Sequence, residues 1–311
     1  MILAVTMNPS VDISYPIHDF KLDDVNRVEN VRKTAGGKGL NVARVVKQMG
    51  EDVLATGVIG GTIGDYIIQE LTKSDIRNHF FKINQESRNC IAILHDGKQT
   101  EILESGPILS EEEGANFLKV YRELLSEVSL VTLSGSLPKG LESGFYRQMV
   151  EISWEKGIPV IVDTSGEPLR QVLTHDVKPF AIKPNISELS QLLGIEAEES
   201  ISSLKLLLTN ELFHGIEWIV VSMGGTGAFI KNGGDFYRVT IPAINVVNPV
   251  GSGDAAVAGL AFALKRKQPV SDILKTAMTT GMLNAMGAET GYIDHKKFGQ
   301  FFEMVEVIKI D

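Results

Sequence analysis

Residues Leu130 to Gly166 read LVTLSGSLPKGLESGFYRQMVEISWEKGIPVIVDTSG, which is two β-branched runs with a helical pattern between them. The runs LVTLSG (130–135) and VIVDTSG (160–166) are almost continuously apolar until their last residues. Such runs are typical of strands that are buried on both faces of a sheet. Two strands joined through a helix predict parallel neighbours in an α/β fold.

The same alternation continues on both sides of this stretch. The segment LNVARVVKQMG (40–50) repeats its apolar residues at helical spacing and ends at Gly50. The segment 110–125 opens with Ser110 and has Glu113 three residues later, the spacing of a capping box. Further strand-like runs lie at 2–7, 54–60, 180–185 and 218–225. The alternation predicts a mainly parallel central sheet with helices on both sides.

Two segments interrupt this alternation. Residues 12–33 alternate like strands and contain turn residues, and residues 88–105 are typical of a hairpin turning at Asp96-Gly97. No helical pattern accompanies either segment. We therefore expect one domain over residues 1–311, with a small second sheet drawn from these segments. That sheet could cover the functional site as a lid or pair with a second subunit to form a homodimer.

Composition limits the classes of function. The chain has 311 residues and a net charge of −9, which argues against broad binding to nucleic acid or to anionic membrane. Its single cysteine, Cys90, cannot form an intramolecular disulfide and fits a reducing compartment. We expect Cys90 to be a small core residue. The sequence shows no signal-peptide pattern and no long apolar run, so we expect a cytoplasmic protein.

Glycine-rich loops are the strongest functional signal. AGGKGLN (35–41) opens a helix and has more glycines than a turn needs, which favours close approach of backbone N–H groups to an anionic ligand. SMGGTGAF (222–229) follows a predicted strand, where ligands of open α/β sheets collect. Taken alone, the second loop fits a tight strand-turn-strand connection equally well.

The third loop, NPVGSGD (248–254), places a carboxylate directly behind Gly-Ser-Gly. Its N–H groups from Gly251 to Asp254 can point at one anion, assisted by the dipole of the following helix. Asp254 could be an ordinary helix cap, but a cap does not need the preceding glycines. A cradle of amides beside a carboxylate suits phosphoryl transfer, with the carboxylate taking a proton from the attacking hydroxyl.

Together, these motifs resemble those of the ribokinase-like, PfkB-type carbohydrate kinases. The resemblance rests on GGKGLN and NPVGSGD in this order, with KPNISEL (183–189) and VSMGGTGA between them, and it covers essentially the whole chain. It implies a three-layer sandwich with a small β-sheet lid. It also implies that ATP and Mg²⁺ are used and that the other substrate is a small sugar or phosphosugar.

The resemblance implies roles for individual residues. Asp254 matches the catalytic base, and Gly251, Ser252 and Gly253 match the anion hole. The positions that match substrate-binding residues are Asp12, Gly36, Gly37, Lys38, Asn41, Arg88 and Ser136. Arg27, on the expected lid, is a further candidate for binding a substrate phosphate. The positions that match nucleotide-binding residues are Lys183, Asn185, Ser222, Gly224, Gly225, Gly227, Asn284 and Gly287. Glu188 matches the residue that organises magnesium, through water. For Asn185, helix capping is an equally good explanation from the residues alone.

One departure from the family pattern concerns a monovalent cation. Many relatives have Asp-Thr where this chain has Asn248-Pro249, and this region helps to bind the cation in some of them. Proline removes a backbone donor and fixes φ. The resemblance therefore leaves dependence on potassium open.

Three functions are compatible with the sequence: a kinase of a hexose phosphate, a kinase of an uncharged sugar or nucleoside, and a sensor that binds a sugar phosphate without reaction. Arg88, with Arg27 or Lys139 nearby, favours a substrate that already carries a phosphate. An intact Asp254 behind an intact glycine loop argues against the sensor, which has no use for a base.

Overall fold

The computed structural model describes residues 1–96 and 98–310, so Gly97 of the expected hairpin turn lies outside the described residues. The described strands are β1 (Ile2–Thr6), β2 (Ser10–Pro16), β3 (Arg32–Gly36), β4 (Val53–Gly60), β5 (Arg77–Asn78), β6 (Phe81–Ile83), β7 (Arg88–His95), β8 (Lys98–Leu103), β9 (Leu130–Ser134), β10 (Val160–Asp163), β11 (Ala181–Ile182), β12 (Trp218–Ser222), β13 (Ala228–Asn232), β14 (Asp235–Thr240) and β15 (Glu306–Ile310). The described α-helices are α1 (Lys38–Gln48), α2 (Gly61–Lys73), α3 (Glu111–Leu124), α4 (Phe145–Glu155), α5 (Gly166–Leu173), α6 (Ile186–Leu193), α7 (Ile201–Leu207), α8 (Ser252–Lys265), α9 (Val270–Met286) and α10 (His295–Met304).

Within the described residues, eleven of these strands form one central sheet. Its order is β15-β14-β13-β12-β11-β10-β9-β1-β4-β5, with β6 paired to β4. Seven neighbouring strands of this sheet, in the order β12-β11-β10-β9-β1-β4-β5, are mutually parallel, as the alternation of strands and helices predicts. At one edge, β13, β14 and β15 are antiparallel. The sequence analysis did not identify this edge.

The central sheet is covered by apolar side chains on both faces. Along β1, Ile2 and Ala4 belong to one buried cluster, and Leu3 and Val5 belong to the other. This division confirms the interpretation of continuous apolar runs as two-sided strands. Helix α8 is itself buried over Asp254–Ala263 and lies in the first cluster. No helix among the described residues is long and apolar enough to cross a membrane.

The predicted helix signals are present. Helix α1 ends at Gln48, and Gly50 follows two residues later in the left-handed region with φ 75°. Helix α3 has the complete capping box, in which the Ser110 side chain accepts from the Glu113 backbone and the Glu113 carboxylate accepts from the Ser110 backbone.

The four remaining strands form the separate small sheet, in the order β3-β2-β7-β8. Strands β2 and β7 are parallel neighbours, although they come from segments far apart in the chain. Only the two ends of the expected 12–33 region are strands, and residues 17–31 form a connection between β2 and β3. The inner face of the sheet carries the buried residues Val11, Ile13 and Ile93.

The outer face of the small sheet mixes polar and apolar side chains along its whole length. Asp12, Cys90 and Leu103 lie side by side on this face, since they are register partners across β2, β7 and β8. Two residues further along β7 is Ala92, followed by Leu94, which is 39% exposed. Cys90 is half-buried on this outer face, so its expected place in the core is wrong.

Candidate active site

The glycine loops converge at one end of the central sheet. Ser134, Asp163 and Ser222 are the last residues of β9, β10 and β12, and these strands run in the same direction. The loops that follow such parallel strands meet at their carboxyl ends, which is where open α/β sheets bind ligands. Helices α1 and α8 both begin at this edge, directly behind the first and third glycine loops.

Asp254 lies in the first turn of α8 and is 6% exposed. The Asn41 side chain of α1 donates a hydrogen bond of 2.7 Å from Nδ2 to Asp254 Oδ2. Burial, together with the negative charge of Asp163, raises the pKa of Asp254 to about 7. A carboxyl with a pKa near the working pH is suited to accept a proton.

The loop before Asp254 leaves backbone amides available. Gly251 has φ 79°, and a Cβ there would lie 2.4 Å from Thr290 Cγ2, so the position requires glycine. The Ser252 N–H donates to Pro249 O at 3.2 Å. Among the described residues, the N–H groups of Gly251, Gly253 and Asp254 have no backbone acceptor. Three of the four amides of the predicted anion hole are therefore free to meet a ligand.

Two lysines lie beside this loop, and both pair with one carboxylate, that of Asp163. Lys183 Nζ lies 3.3 Å from Asp163 Oδ1, and Lys38 Nζ lies 3.7 Å from Asp163 Oδ2. Although burial raises the pKa of Asp163, the two lysines outweigh it and hold the pKa below its ordinary value. Asp163 raises the pKa of Lys38 in turn. A Cβ at Gly253 would lie 3.3 Å from Lys183 Nζ, so this cation is directly beside the amide loop.

Asp163 is a site residue that the sequence analysis missed. The analysis used VIVDTSG only as a strand, although the carboxylate at its end was a usable signal. An acidic residue at the carboxyl end of a parallel strand lies at the ligand-binding edge of the sheet. Its partners, Lys38 and Lys183, come from the two loops expected to bind the sugar and the nucleotide. Asp163 therefore connects the two halves of the candidate site.

Asp12 lies on the small sheet, opposite the sugar-binding turn. A Cβ at Gly36 would lie 2.0 Å from Asp12 Oδ1, so the carboxylate lies against the backbone of that turn. The Ser10 hydroxyl donates to the same oxygen at 2.7 Å. Burial raises the pKa of Asp12. Gly37, with φ 107°, then leads into α1 and brings Lys38 and Asn41 to the site.

Arg88 is anchored at the corner between the small sheet and the main body. Its Nε and Nη2 donate to Asn8 O at 3.2 and 3.0 Å, and its Nη1 donates to Glu104 O at 3.0 Å. Since a guanidinium has five N–H groups, one remains on each terminal nitrogen for a further acceptor. Ser136 is exposed two residues after β9.

Arg27 lies apart from these residues, on the connection between β2 and β3. It lines a cleft of about 380 Å³ whose walls come from residues 16–30. Arg27 thus lies among residues of its own connection. Its predicted contact with the substrate stays a prediction.

The nucleotide-side residues lie on adjacent loops. Asn185 and Ser222 form an isolated parallel bridge, which places the KPN element next to the second glycine loop. Asn185 caps α6: its Oδ1 accepts from the Glu188 N–H at 2.8 Å, and Glu188 Oε2 accepts from the Asn185 N–H at 2.9 Å. The capping explanation of Asn185 is thus confirmed. Contact with a nucleotide stays a prediction for both residues.

The second glycine loop is a strand-turn-strand connection between β12 and β13. A Cβ at Gly227 would lie 2.1 Å from Val239 O, and the residue has φ 97°, so the fold itself requires this glycine. At Gly224 and Gly225, no atom lies within 4 Å of an added Cβ. Those two glycines leave open space that a ligand can use.

Asn284 and Gly287 lie at the end of α9. The Asn284 side chain is fully buried and donates to Val250 O at 2.9 Å and to Ser252 Oγ at 3.3 Å. Its Oδ1 accepts from the Gly291 N–H at 2.8 Å. Asn284 thus supports the anion-hole loop from behind, and the prediction that it flanks the adenine stays a prediction.

The side chains of the site can bind Mg²⁺ only together with the phosphates of a substrate. Among residues 1–96 and 98–310, no three His, Cys, Asp or Glu side chains converge as a metal site. Mg²⁺ typically keeps several waters and uses one or two carboxylates together with substrate phosphates. The half-buried Glu188, whose charge acts on Lys38, is consistent with such a site.

A monovalent cation does not fit the residues around Asn248. Its Oδ1 accepts from the Val250 N–H at 3.0 Å, which fixes the orientation of the amide. Its Nδ2 therefore points toward Ala288 O and Thr290 Oγ1, 3.4 Å from each. An N–H₂ group directed at these oxygens competes with a cation for them.

Known proteins resemble this chain along nearly its whole length. Its sequence matches the family described as pfkB family carbohydrate kinase over residues 5–295. A Staphylococcus aureus protein described as a "putative phosphofructokinase" is 30% identical, with a TM-score of 0.87 and with 100% of this chain and 99% of that one covered. A "possible 1-phosphofructokinase" from Thermotoga maritima is 24% identical, with a TM-score of 0.89 and both chains covered to 100%. Phosphofructokinase-2 from Escherichia coli, solved in complex with potassium, is 23% identical, with a TM-score of 0.89 and with 97% and 98% covered. The same E. coli protein also has a tetrameric inhibited form.

Proposed function

This chain belongs to the pfkB family of carbohydrate kinases, and from that premise we propose that it phosphorylates D-tagatose 6-phosphate at C1 with ATP. The product is D-tagatose 1,6-bisphosphate. The observation that carries the proposal is the buried Asp254, with a pKa of about 7, behind free backbone amides. Lys38 and Lys183 beside it supply the positive charge that a triphosphate needs.

In the reaction, Asp254 accepts the proton of the C1 hydroxyl, and the hydroxyl oxygen attacks the γ-phosphorus. The bond between that phosphorus and the bridging oxygen breaks, and ADP leaves with the electron pair. The amides of Gly251 and Gly253 stabilise the charge on the transferred group, as oxyanion-hole donors do. The Asn41 hydrogen bond holds the Asp254 carboxylate in one orientation. Glu188 would help to hold Mg²⁺ together with the nucleotide phosphates, and the ion would supply charge neutralisation for them.

The choice of a phosphorylated sugar rests on Arg88 and Ser136. Two N–H groups of Arg88 remain for an acceptor, which suits the bidentate binding of a phosphate. Among phosphosugar kinases, the stretches TMNPSVDISYP, SRNCIAI and SGSLPKG resemble tagatose-6-phosphate kinase most. The alternative is a 1-phosphofructokinase or another hexose-phosphate kinase, an assignment that the names of the structural neighbours favour. In either case, Asp12 and the turn at Gly36 bind sugar hydroxyls.

The proposed setting is lactose or galactose breakdown in the cytoplasm, where one cysteine and a net charge of −9 are unremarkable for a small-molecule enzyme.

We further propose that two copies pair through the outer faces of their small sheets. Leu94 and Leu103, which are 39% and 61% exposed, lie on that face. The neighbouring Ile93 is 8% exposed and packs inward, so a charge at Ile93 would disturb the fold instead of the pairing. Leu103→Glu should weaken pairing in sedimentation.

The proposed function is tested by a coupled ADP-release assay with tagatose 6-phosphate, fructose 6-phosphate and fructose 1-phosphate. Tagatose 6-phosphate should have the highest kcat/KM. A clear preference for fructose 1-phosphate would establish the alternative kinase. Binding of a phosphosugar without ADP release, by a folded chain supplied with Mg²⁺ and ATP, would instead support the sensor.

A further inference from the structure

The side chain of Arg44 touches three separate parts of the site. It lies on α1, one turn beyond Asn41, and is half-buried. Its Nη1 donates to Ala35 O in the sugar-binding turn, and its Nη2 donates to Asn41 Oδ1. Nη2 also donates to Thr290 O at 3.3 Å. One guanidinium thus bridges the turn, the partner of the base and the segment that follows α9.

The contact with Asn41 fixes the direction of its amide. Because Oδ1 of Asn41 accepts from Arg44, Nδ2 must point the other way, where it donates to Asp254 Oδ2 at 2.7 Å. A reversed amide would place N–H groups against the guanidinium and an oxygen against the carboxylate. Arg44 therefore determines whether the hydrogen bond to Asp254 can form.

The contact with Thr290 reaches the anion-hole loop. Thr290 lies against Gly251, where a Cβ would approach its Cγ2 to 2.4 Å. The next residue, Gly291, has φ 73°, and a Cβ there would lie 2.9 Å from Arg44 Nε. The Gly291 N–H donates to Asn284 Oδ1, and the Asn284 amide donates to Val250 O. The guanidinium thus lies close to a segment that supports the loop.

We propose that Arg44 is a positioning residue for the transfer reaction, which aligns the base through Asn41 and couples it to the sugar turn and the anion-hole loop. The proposal rests on the proposed phosphoryl transfer. The three acceptors are met from two separate nitrogens of one rigid plane, whereas an ammonium group presents its three N–H groups from a single atom, so lysine does not reproduce this geometry. The carboxylates of Asp12 and Asp254 lie close enough for their charges to oppose the lowering of the Arg44 pKa by burial.

The first experiment is a double-mutant cycle on turnover with Asn41→Ala, Arg44→Ala and both changes together. Loss of alignment should lower kcat about 10- to 100-fold in Arg44→Ala. Because Arg44 acts on the base chiefly through Asn41, the loss of kcat in the double variant should be much smaller than the product of the two single losses. Multiplied losses would show that Arg44 acts independently of Asn41 and would overturn the proposal.

Two further variants separate alignment from charge. Arg44→Lys keeps the charge but should stay at least fivefold below wild-type kcat, and wild-type turnover there would refute the need for the fork. Lys47→Met is the matched control, since it removes a cation of the same helix that pairs with Asp75 at 2.5 Å. It should leave kcat within twofold. A cleft of about 340 Å³ opens beside Arg44, so added ethylguanidinium should restore part of the turnover of Arg44→Ala.

Hydrogen exchange distinguishes failure of this inference from failure of the proposed function. If the wild-type chain phosphorylates none of the three sugar phosphates, the proposed function fails, and the contacts of Arg44 are still measurable. Arg44→Ala should then speed exchange at the hydrogen-bonded amides of Gly291, Ser252 and Ala255 at least tenfold, and Lys47→Met should not. Unchanged exchange at these amides in Arg44→Ala would overturn the inference by itself.

Discussion

Replacing the candidate base should make the protein more stable and inactive at once. Asp254 is 6% exposed, and burial raises its pKa to about 7 from 3.8. Between these values the folded chain holds a proton that the unfolded chain releases, so the stability of the fold decreases as pH rises. At 1.36 kcal/mol per pH unit, the ionised carboxylate costs about 4 kcal/mol above pH 7. Asp254→Asn removes this cost and keeps an acceptor for Asn41.

Denaturant unfolding of wild type and Asp254→Asn at pH 5 and pH 8 provides the assay. The stabilisation of the variant should be about 3 kcal/mol larger at pH 8 than at pH 5, since the wild-type penalty grows only up to pH 7. Turnover at pH 8 should fall about 10²- to 10⁴-fold, the usual effect of losing a general base. ATP affinity should change little.

The matched control is the other buried carboxylate of the site. Asp163→Asn should destabilise the fold at both pH values, by about 3–5 kcal/mol, because it leaves the buried Lys183 without its counter-charge. Equal stability of Asp254→Asn and wild type at pH 8 would refute the reasoning, because Asp254 would then ionise at no cost. Retention of more than half of the turnover would exclude Asp254 as the base.

Three other outcomes follow from the same geometry. The kcat/KM for the phosphosugar should rise with pH and level off above about 7, since Asp254 must lose its proton to act, and a flat profile from pH 5 to 8 would contradict this. Arg88→Ala should raise the KM for the phosphosugar about 10- to 150-fold and leave the KM for ATP nearly unchanged, whereas equal losses for both would indicate a structural role. Replacing potassium by sodium or choline should leave kcat within twofold, because Asn248 directs an N–H₂ group at the oxygens beside it, and strong activation by potassium would show that this amide moves aside.

The parallel part of the sheet was predictable because strands that are buried on both faces consist of nearly continuous apolar runs. The antiparallel edge is harder to predict, since β14 and β15 are partly exposed and do not form continuous apolar runs. One signal was available: Gly233-Gly234, the two-residue loop between β13 and β14, is a favoured hairpin dipeptide, and Gly233 has φ 55°. The small sheet was predicted as a unit, but residues 17–31 alternate in polarity without pairing. Pattern alone does not distinguish a strand from an extended connection.

The candidate site was predictable only where its chemistry is local in sequence. Asp254 and the glycines before it are consecutive, so one short window contains both the base and the amides. Asp163 pairs with Lys38 and Lys183 on other elements, and Arg44 reaches Ala35 O and Thr290 O outside its own helix, so tertiary packing creates these neighbours. In the sequence, Asp163 is the end of a strand and Arg44 is a polar position on a helix.

Asn41 and Asp254 are 213 residues apart in the chain, and this separation has a consequence for protein synthesis. The ribosome completes the sugar turn, the small sheet and most of the central sheet before it adds the base. A nascent or prematurely terminated chain can thus acquire binding surfaces while it lacks the group that starts chemistry. With Asp254 as the proposed base, such a fragment cannot transfer phosphate, and that ability arises only when the late helix α8 docks beside α1.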